Sequence, residues 1–312
     1  MIQAVQGGSL DHTQLAPGAF RGKLLHVADD AIALDFGSYN LPVLAEGPLP
    51  KEAITLGFVL HRSSVAVLNG IELAPSTMVT YTEGHDLVAA LPENCAWVSM
   101  QLSRADLCAL GWRVPAQGFA ARGLDNKLRM AFNEVLLGEL NLLQRSSSAW
   151  QNAAKLTANA TAVPPAYATA HAIRQFEDFG IAALFATFDA PSRKTRKMDL
   201  ETRAGSYRLA RRVARYMSDQ LSQPLRIIEI CCANRCSYKE LQSAFRRTYG
   251  VTPKHYLSVR RLRALRELLL HDQSITEITD ASLQCGLTHF GRTSAAYRKM
   301  FGELPSETLL RK

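Results

Sequence analysis

The sequence predicts an α+β protein whose β-rich first part is followed by an all-helical last part. Three observations support this class. Short apolar runs separated by turn residues fill residues 1–125, and from position 126 the apolar residues recur at helical intervals. The last third contains an internal repeat of helices. We therefore divide the chain into a β-rich region (1–125), a helical dimerisation or packing region (126–190), a basic interdomain linker (191–205) and an all-α region (206–312).

The β-rich region contains five runs rich in Val, Ile and Leu, at residues 31–36, 53–60, 63–73, 78–84 and 95–102. Asn69-Gly70 lies between two apolar stretches, and this dipeptide strongly favours a two-residue hairpin turn. Short strands at such close spacing are typical of a barrel or a sandwich. The residues by themselves leave both architectures open.

Two amphipathic helices are predicted next, over residues 126–144 and 166–188. An apolar helix face has to be buried against another element or another chain. A homodimer built on these helices is one expectation, and packing of the helices onto the barrel of the same chain is an equal alternative.

Charge is distributed unevenly along the chain. Residues 1–190 carry 12 Lys and Arg against 17 Asp and Glu, a net charge of −5, whereas residues 191–312 carry 24 against 11, a net charge of +13. A basic end on a mildly acidic body predicts a polyanion as partner, with a merely solvated cationic surface as the alternative. No apolar stretch approaches the roughly 18 residues of a membrane span, so we expect no membrane partner. The six cysteines show neither a zinc spacing nor the framework of a small secreted protein, so we expect reduced thiols and a cytoplasmic location.

The internal repeat aligns FRRTYGVTP (245–253) with YRKMFGELP (297–305), an offset of 52 residues. Each copy follows a short helix, a turn at Arg235-Cys236 or Gly286-Leu287, and a longer helix that Ser237 or Thr288 is expected to cap. This order is the helix-turn-helix plan, whose second helix enters the major groove of DNA. A predicted helix over 253–270 joins the two units, and its length of roughly 27 Å would hold the two recognition helices about one DNA turn apart.

Candidate DNA contacts follow from this plan, because residues in the first turns of a recognition helix reach base edges. In the first unit these are Ser237, Tyr238, Lys239, Gln242 and Arg246. In the second unit they are Thr288, His289, Arg292 and Arg298. Arg247, Lys254 and Lys299 are expected to bind phosphate, which adds affinity without sequence information.

Residues 206–312 resemble the double helix-turn-helix domain of the AraC/XylS family of transcriptional regulators. The resemblance rests on Tyr249-Gly250-Val251-Thr252-Pro253, on Phe301-Gly302-Glu303-Leu304-Pro305, on RRLRALRELLL, and on LQCGLTHFGRTSAAYRKMFGELPSE. The segment from DHTQLAPGAFRGKL onward is similar to the cupin-like sensor region of that family. The resemblance implies a cupin-like barrel, promoter DNA as partner, activation as the commoner mode, RNA polymerase as a further partner, and association with the nucleoid. The second unit departs from the family pattern at Gly291-Arg292-Thr293-Ser294, which puts its half-site preference in question.

The basic stretch SRKTRK (192–197) permits three interpretations: a solvated linker, extra phosphate contacts, or a grip on a small anionic effector. The candidate effector-binding residues are Arg193, Lys194, Thr195, Arg196 and Lys197. Guanidinium groups form bidentate hydrogen bonds with phosphate and with guanine. Cyclic di-GMP carries two of each, so it suits these residues. PilZ-type receptors of this nucleotide use Arg-x-x-x-Arg beside a barrel motif Asp/Asn-x-Ser-x-x-Gly. Here Lys takes the second place and the barrel motif has no match.

The whole layout is nevertheless similar to a rhizobial type of AraC-like regulator that senses cyclic di-GMP and controls exopolysaccharide genes. A metabolite held inside the barrel is the alternative effector, and a protein with no effector is a third. A DNA-repair or cupin enzyme with an appended helix-turn-helix is a remote alternative. We expect no enzyme, because Cys95 and Cys108 lie in apolar settings and no His-x-His pair offers a catalytic metal corner. We expect no cofactor and no metal.

Overall fold

A computed structural model describes residues 4–28, 32–61, 64–73, 77–109, 118–123 and 197–311. The predicted helices over 126–144 and 166–188, and with them the predicted dimerisation surface, lie outside these residues. The described chain consists of a β domain and a helical domain, so the α+β class is confirmed.

The β domain contains two antiparallel sheets, with strands numbered in chain order. The first sheet contains, in spatial order, β1 (Asp11–Gln14), β4 (Val43–Pro48), β9 (Asp86–Leu91), β6 (Val67–Leu68) and β7 (Ile71–Glu72). The second contains β11 (Phe119–Gly123), β8 (Thr77–Tyr81), β5 (Ile54–His61), β10 (Cys95–Leu102), β3 (Ile32–Tyr39) and β2 (Gly22–Ala28). The described strands form two packed sheets rather than one closed barrel, and an apolar core from both sheets fills the space between them.

Four of the predicted strands are present as β3, β5, β8 and β10, because their Val, Ile and Leu content suits a buried pleated surface. The run 63–73 forms the hairpin β6–β7, and its turn residues Asn69 and Gly70 have φ values of +47° and +77° as the dipeptide predicted. Strands β1, β2, β4, β9 and β11 were not predicted. DHTQ in β1 is polar, and β4 ends in Gly47-Pro48, so local composition argued against both.

The helices of the described chain begin with the short α1 (Arg104–Ala109) in the β domain. The helical domain contains α2 (Lys197–Asp219), α3 (Ile227–Ala233), α4 (Tyr238–Tyr249), α5 (Pro253–His271), α6 (Ile278–Gln284), α7 (Phe290–Phe301) and α8 (Pro305–Leu309). The joining helix predicted over 253–270 is confirmed as α5. Helix α2 begins at Lys197 rather than at 206, so the second half of the segment 191–205 is helical. Over the residues described, no helix is long and apolar enough to cross a membrane.

The two helix-turn-helix units have different cores. The first unit (α3 and α4) shares one apolar cluster with α2, with the start of α5 and with the outer face of the first sheet. The second unit (α6 and α7) packs against the rest of α5 in a separate cluster around Leu262, Leu265 and Tyr297. Phe245, Tyr249 and Tyr297, predicted to be core residues, are fully buried.

A buried carboxylate ties the N-terminal segment to the second sheet. Asp35 on β3 is fully buried and accepts hydrogen bonds from the Gln6 backbone N–H at 3.0 Å and from the Ser99 hydroxyl at 3.2 Å. His26 Nδ1 lies 2.6 Å from the same carboxylate. Burial raises the pKa of Asp35 even though these three groups favour its ionised form.

Replacing Asp35 tests this buried network. Asp35→Ala leaves the buried Ser99 hydroxyl and the Gln6 N–H without their acceptor, so we expect the free energy of unfolding to fall by about 2–4 kcal/mol in urea denaturation. Glu52→Ala, at an exposed position of the same domain, is the control and should change it by less than about 0.5 kcal/mol. Equal effects of the two substitutions would contradict the structural importance of Asp35.

Candidate nucleic-acid interface

The first recognition helix, α4, begins at a capping box. The Ser237 hydroxyl accepts a hydrogen bond from the Glu240 N–H at 3.2 Å, and the Glu240 carboxylate accepts one from the Ser237 N–H at 2.8 Å. The turn before it places Arg235 at a φ of +49°. The predicted turn and the predicted cap of the first unit are therefore confirmed, and the capping box fixes the residue at which α4 begins.

Helix α4 has one buried face and one exposed face. The buried side chains belong to Leu241, Ala244, Phe245, Thr248 and Tyr249. On the opposite side Tyr238, Lys239 and Arg246 are exposed and Gln242 is partly exposed. The Gln242 amide donates a weak hydrogen bond to the Tyr238 hydroxyl, at 3.4 Å. The structure thus brings the base-contact candidates of the first unit together on one accessible surface.

The second recognition helix, α7, begins differently from the prediction. Its first helical residue is Phe290 and its N-cap is His289, which makes no side-chain capping bond. The prediction that Thr288 caps this helix is wrong, because Thr288 lies one residue before the cap. Gly286 in the turn has a φ of +67°, and a Cβ there would lie 2.6 Å from the Leu221 carbonyl oxygen, so the turn requires glycine.

The remaining candidates of the second unit are accessible. Thr288, His289, Arg292 and Arg298 are all exposed. The phosphate-binding candidates Arg247, Lys254 and Lys299 are exposed as well. Their accessibility is compatible with DNA contact, and their roles stay predictions.

The repeat offset of 52 residues identifies positions that the candidate residues missed. It matches Tyr238 with Phe290, Lys239 with Gly291, Gln242 with Ser294, and Arg246 with Arg298. Phe290 is 41% exposed and Ser294 is partly exposed, so both belong to the accessible face of α7. Applying the offset to the sequence alone would have found them.

The side of the first unit that faces away from these residues rests on the first sheet. Val67 on β6 and Val88 and Ala90 on β9 share one apolar cluster with Phe245 and Tyr249 of α4. This packing holds the first recognition helix in a fixed position on the β domain.

A largely buried carboxylate lies in the same interface. The Glu46 carboxylate on β4 accepts hydrogen bonds from Arg211 of α2 at 3.2 Å and from the Tyr256 hydroxyl at 3.4 Å. Arg260 of α5 lies 3.9 Å away. Burial raises the pKa of Glu46 in spite of the two arginines. A carboxylate taken out of water in this way depends on its partners, so Glu46 couples the β domain to two helices at once.

Strand β1 and the residues after it contact the connecting helix α5 and the end of α7. Asp11 forms ion pairs with Arg260, at 3.0 Å, and with Arg263, while His255 Nε2 lies 2.8 Å from the Leu15 carbonyl oxygen. Near the end of α7, the Gln14 amide donates to the Met300 carbonyl at 3.1 Å. These interdomain contacts were not predicted, because about 240 to 290 positions separate the partners and no local pattern links them.

The β domain encloses a cavity between its sheets, with a volume of about 60 Å³. Ala45 on β4 and Leu87, Ala89 and Leu91 on β9 line one wall. Thr55 and Tyr81 also line it, and within the described residues their buried hydroxyls have no hydrogen-bond partner. An apolar cavity with free hydroxyls can accept a very small ligand, and a larger one would require the walls to move.

The basic effector-binding candidates cannot be compared with this geometry. Arg193, Lys194, Thr195 and Arg196 lie outside the described residues. Lys197 is the first residue of α2, and its side chain is outside the described part as well.

A family profile described as a helix-turn-helix domain matches residues 230–311. The XylDLEGF operon transcriptional activator 3 of Pseudomonas putida is 33% identical over 102 residues, which cover 32% of this chain and 31% of that protein. The XylDLEGF operon transcriptional activator 2 of the same organism is 31% identical over 99 residues, 31% of this chain and 63% of that protein. The chain thus spans about a third of the length of the first curated relatives it matches. Among solved structures, the AraC-like transcriptional activator CuxR aligns with 88% of this chain and 91% of its own, at 14% identity and a TM-score of 0.34.

Asp11 provides a pH test of the interface. Burial raises the pKa of Asp11, but Arg263 and Arg260 outweigh burial and hold the pKa below its ordinary value of 3.8. Because the folded-state pKa is depressed, the stability that Asp11 contributes is present above pH 3.8 and is lost as the pH falls through the folded-state value. We expect Asp11→Asn to lower the free energy of unfolding by about 1–2 kcal/mol at neutral pH, and the difference from wild type to shrink only below about pH 4.

Urea denaturation of the full chain at several pH values measures this difference. Glu267→Gln is the matched control, because Glu267 also pairs with Arg263 but is exposed, and it should cost less than about 0.5 kcal/mol. A loss for Asp11→Asn that is no larger than that of the control at neutral pH would refute the role of Asp11.

Proposed function

We propose, from the premise that residues 230–311 form an AraC-type helix-turn-helix domain, that this chain is a sequence-specific DNA-binding transcriptional regulator and more specifically an activator. The observation that carries the proposal is the pair of helix-turn-helix units, each with an accessible face that contains cationic residues. The relatives are named as transcriptional activators, which favours a regulator over the DNA-repair and cupin enzyme alternatives. Promoter DNA in the bacterial cytoplasm is the proposed partner.

The accessible face of α4 suits direct readout in the major groove. Glutamine pairs naturally with adenine and arginine with guanine, so Gln242 and Arg246 are the candidates for base contacts. Arg247 and Lys254 flank them and are suited to phosphate. Helix α5 contains 19 residues, about 28 Å of helix, which supports a separation near one DNA turn between the two recognition helices. As an activator bound in this way, the protein would contact RNA polymerase, and a homodimer would bind a repeated site.

Arg246 is the residue whose removal tests base readout most directly. Arg246→Ala should weaken binding to the selected promoter site by about 1–3 kcal/mol, roughly 5- to 150-fold, and relax the preference at one base pair. Fluorescence anisotropy titrations at fixed salt measure both effects. Arg21→Ala, an exposed arginine of the β domain, is the control and should leave affinity unchanged. Unchanged affinity and preference in Arg246→Ala would remove this residue from the interface.

Regulation by a small effector is part of the proposal, and cyclic di-GMP is the first candidate. The basic segment Arg193–Lys197 leads directly into α2, and α2 carries Arg211 of the interdomain cluster. A dianionic nucleotide held by this segment would therefore act at the start of a helix that joins the two domains. A ligand placed there could favour one domain orientation, or a dimer, with higher DNA affinity.

A small metabolite in the cavity of the β domain is the second candidate, and the cavity itself favours it. Strands β4 and β9 separate the cavity from the first helix-turn-helix unit as a single layer. Along β9, Leu87 and Ala89 line the cavity while Val88 and Ala90 pack in the cluster of α4. A ligand that displaces this strand would therefore shift the surface that supports α4.

Calorimetry with cyclic di-GMP and a thermal-shift screen of metabolites separate the two candidate effectors. If cyclic di-GMP is the effector, wild type binds it with micromolar affinity, Arg193→Ala/Arg196→Ala loses binding, and the cavity-filling Ala89→Leu retains it. If a metabolite is the effector, a thermal-shift screen finds a compound that stabilises wild type and the double variant but not Ala89→Leu. No heat with cyclic di-GMP on wild type ends the first candidate, and a screen in which no compound distinguishes Ala89→Leu from wild type ends the second.

A further inference from the structure

Each recognition helix presents an aromatic ring at its first helical position. Tyr238 of α4 is 57% exposed and Phe290 of α7 is 41% exposed. The two positions are 52 residues apart, which is the offset of the repeat, whereas the repeat aromatics Phe245 and Tyr297 are fully buried. Large apolar side chains gain free energy when they leave water, so exposed rings at two equivalent positions indicate a surface that becomes buried in a complex.

The surroundings of the two rings differ. In α4, Tyr238 is followed by Lys239, and its hydroxyl accepts a hydrogen bond from Gln242. In α7 the matching positions are Gly291, where an added Cβ would meet nothing within 4 Å, and the short Ser294. The first turn of α7 therefore offers an apolar ring beside open space in place of long polar side chains.

The positive charge of α7 indicates a polyanion as the group that covers Phe290. Arg292, Arg298 and Lys299 are exposed on this helix, and the helix contains no acidic residue. An apolar ring on a cationic helix matches the major groove, where phosphates line the edges and base edges form the floor. The thymine 5-methyl group is the apolar feature that the base edges present in this groove.

We propose that Phe290 determines sequence preference in the second half-site by packing on thymine 5-methyl groups. The inference rests on the proposed DNA-binding function and deepens it by naming the contacted group. The first unit combines an aromatic contact with polar readout, and the second unit relies on its aromatic contact together with Arg298. The two half-sites are therefore unequal, with one or two thymines recognised through their methyl groups in the second half.

Deoxyuridine substitution tests this contact, because it removes the 5-methyl group and nothing else. The binding site is first selected from random duplexes with the full wild-type chain, and each thymine is then replaced in turn. Wild type should lose about fourfold in affinity at one or two thymines of the second half-site, the value of one buried methyl group. Phe290→Ala should bind the thymine duplex more weakly than wild type and should bind the thymine and deoxyuridine duplexes equally well.

Leu283→Ala is the matched control, because Leu283 is a similarly exposed apolar residue, 49% accessible, outside the recognition helices. It should keep the wild-type discrimination between thymine and deoxyuridine. Phe290→Gln provides a second variant that retains helix propensity, and it should lose the discrimination as Phe290→Ala does.

The outcomes are separable from those of the proposed function. If wild type selects no sequence from the random duplexes, DNA readout itself fails. If wild type selects a site, but replacing thymine by deoxyuridine changes the affinities of wild type and of both Phe290 variants equally at every position, DNA readout stands and the role of Phe290 is overturned.

Discussion

The arrangement of the two domains depends on the contacts of one largely buried carboxylate, that of Glu46. A carboxylate in this position needs cationic or hydrogen-bonding partners, and it finds them on two different helices: Arg211 on α2, and Tyr256 with Arg260 on α5. The apolar cluster around it contributes buried area but does little to fix the orientation of the two domains, because hydrophobic contact is not directional. The charged contacts therefore fix the orientation in which the first helix-turn-helix unit rests on the sheet. Asp11 extends the same network along α5.

The two helix-turn-helix units are consequently held in different ways. The first is part of a core that it shares with the β domain, and its recognition helix keeps only one face free. The second has its own core against α5, and near the end of α7 the Met300 carbonyl accepts a hydrogen bond from Gln14. The accessible faces of the two helices differ as well: α4 carries Lys239 and Gln242 where α7 carries Gly291 and Ser294. A duplicated motif has thus diverged both in its support and in its recognition surface.

Because the first sheet is a single layer, the proposed effector control would have a physical route to α4. Alternate residues of one strand point to opposite faces, so β9 contributes Ala89 to the cavity and Val88 to the packing under α4. Packed interfaces of this kind respond to displacement as a unit, because close-packed side chains transmit strain. If the basic segment before α2 binds an effector as proposed, the effect would reach this interface through a helix whose Arg211 contacts Glu46. Both proposed effector sites would therefore act on the packing that supports α4.

The sequence by itself determined the features that neighbouring residues encode. The Asn69-Gly70 hairpin, the Ser237 cap, the turn at Gly286 and the length of α5 all follow from short-range backbone and side-chain preferences. The repeat also determined which residues face outward, and its offset of 52 residues matches Phe290 with Tyr238 at the start of each recognition helix, although the expected Thr288 cap was wrong. Only the tertiary structure decided that β1, β4 and β9 form a sheet under α4, that Asp11 and Glu46 meet arginines about 165 to 250 positions away, and where the cavity lies. Local sequence sets local conformation, whereas residues so far apart in the sequence come into contact only when the chain has folded and water has been excluded between them.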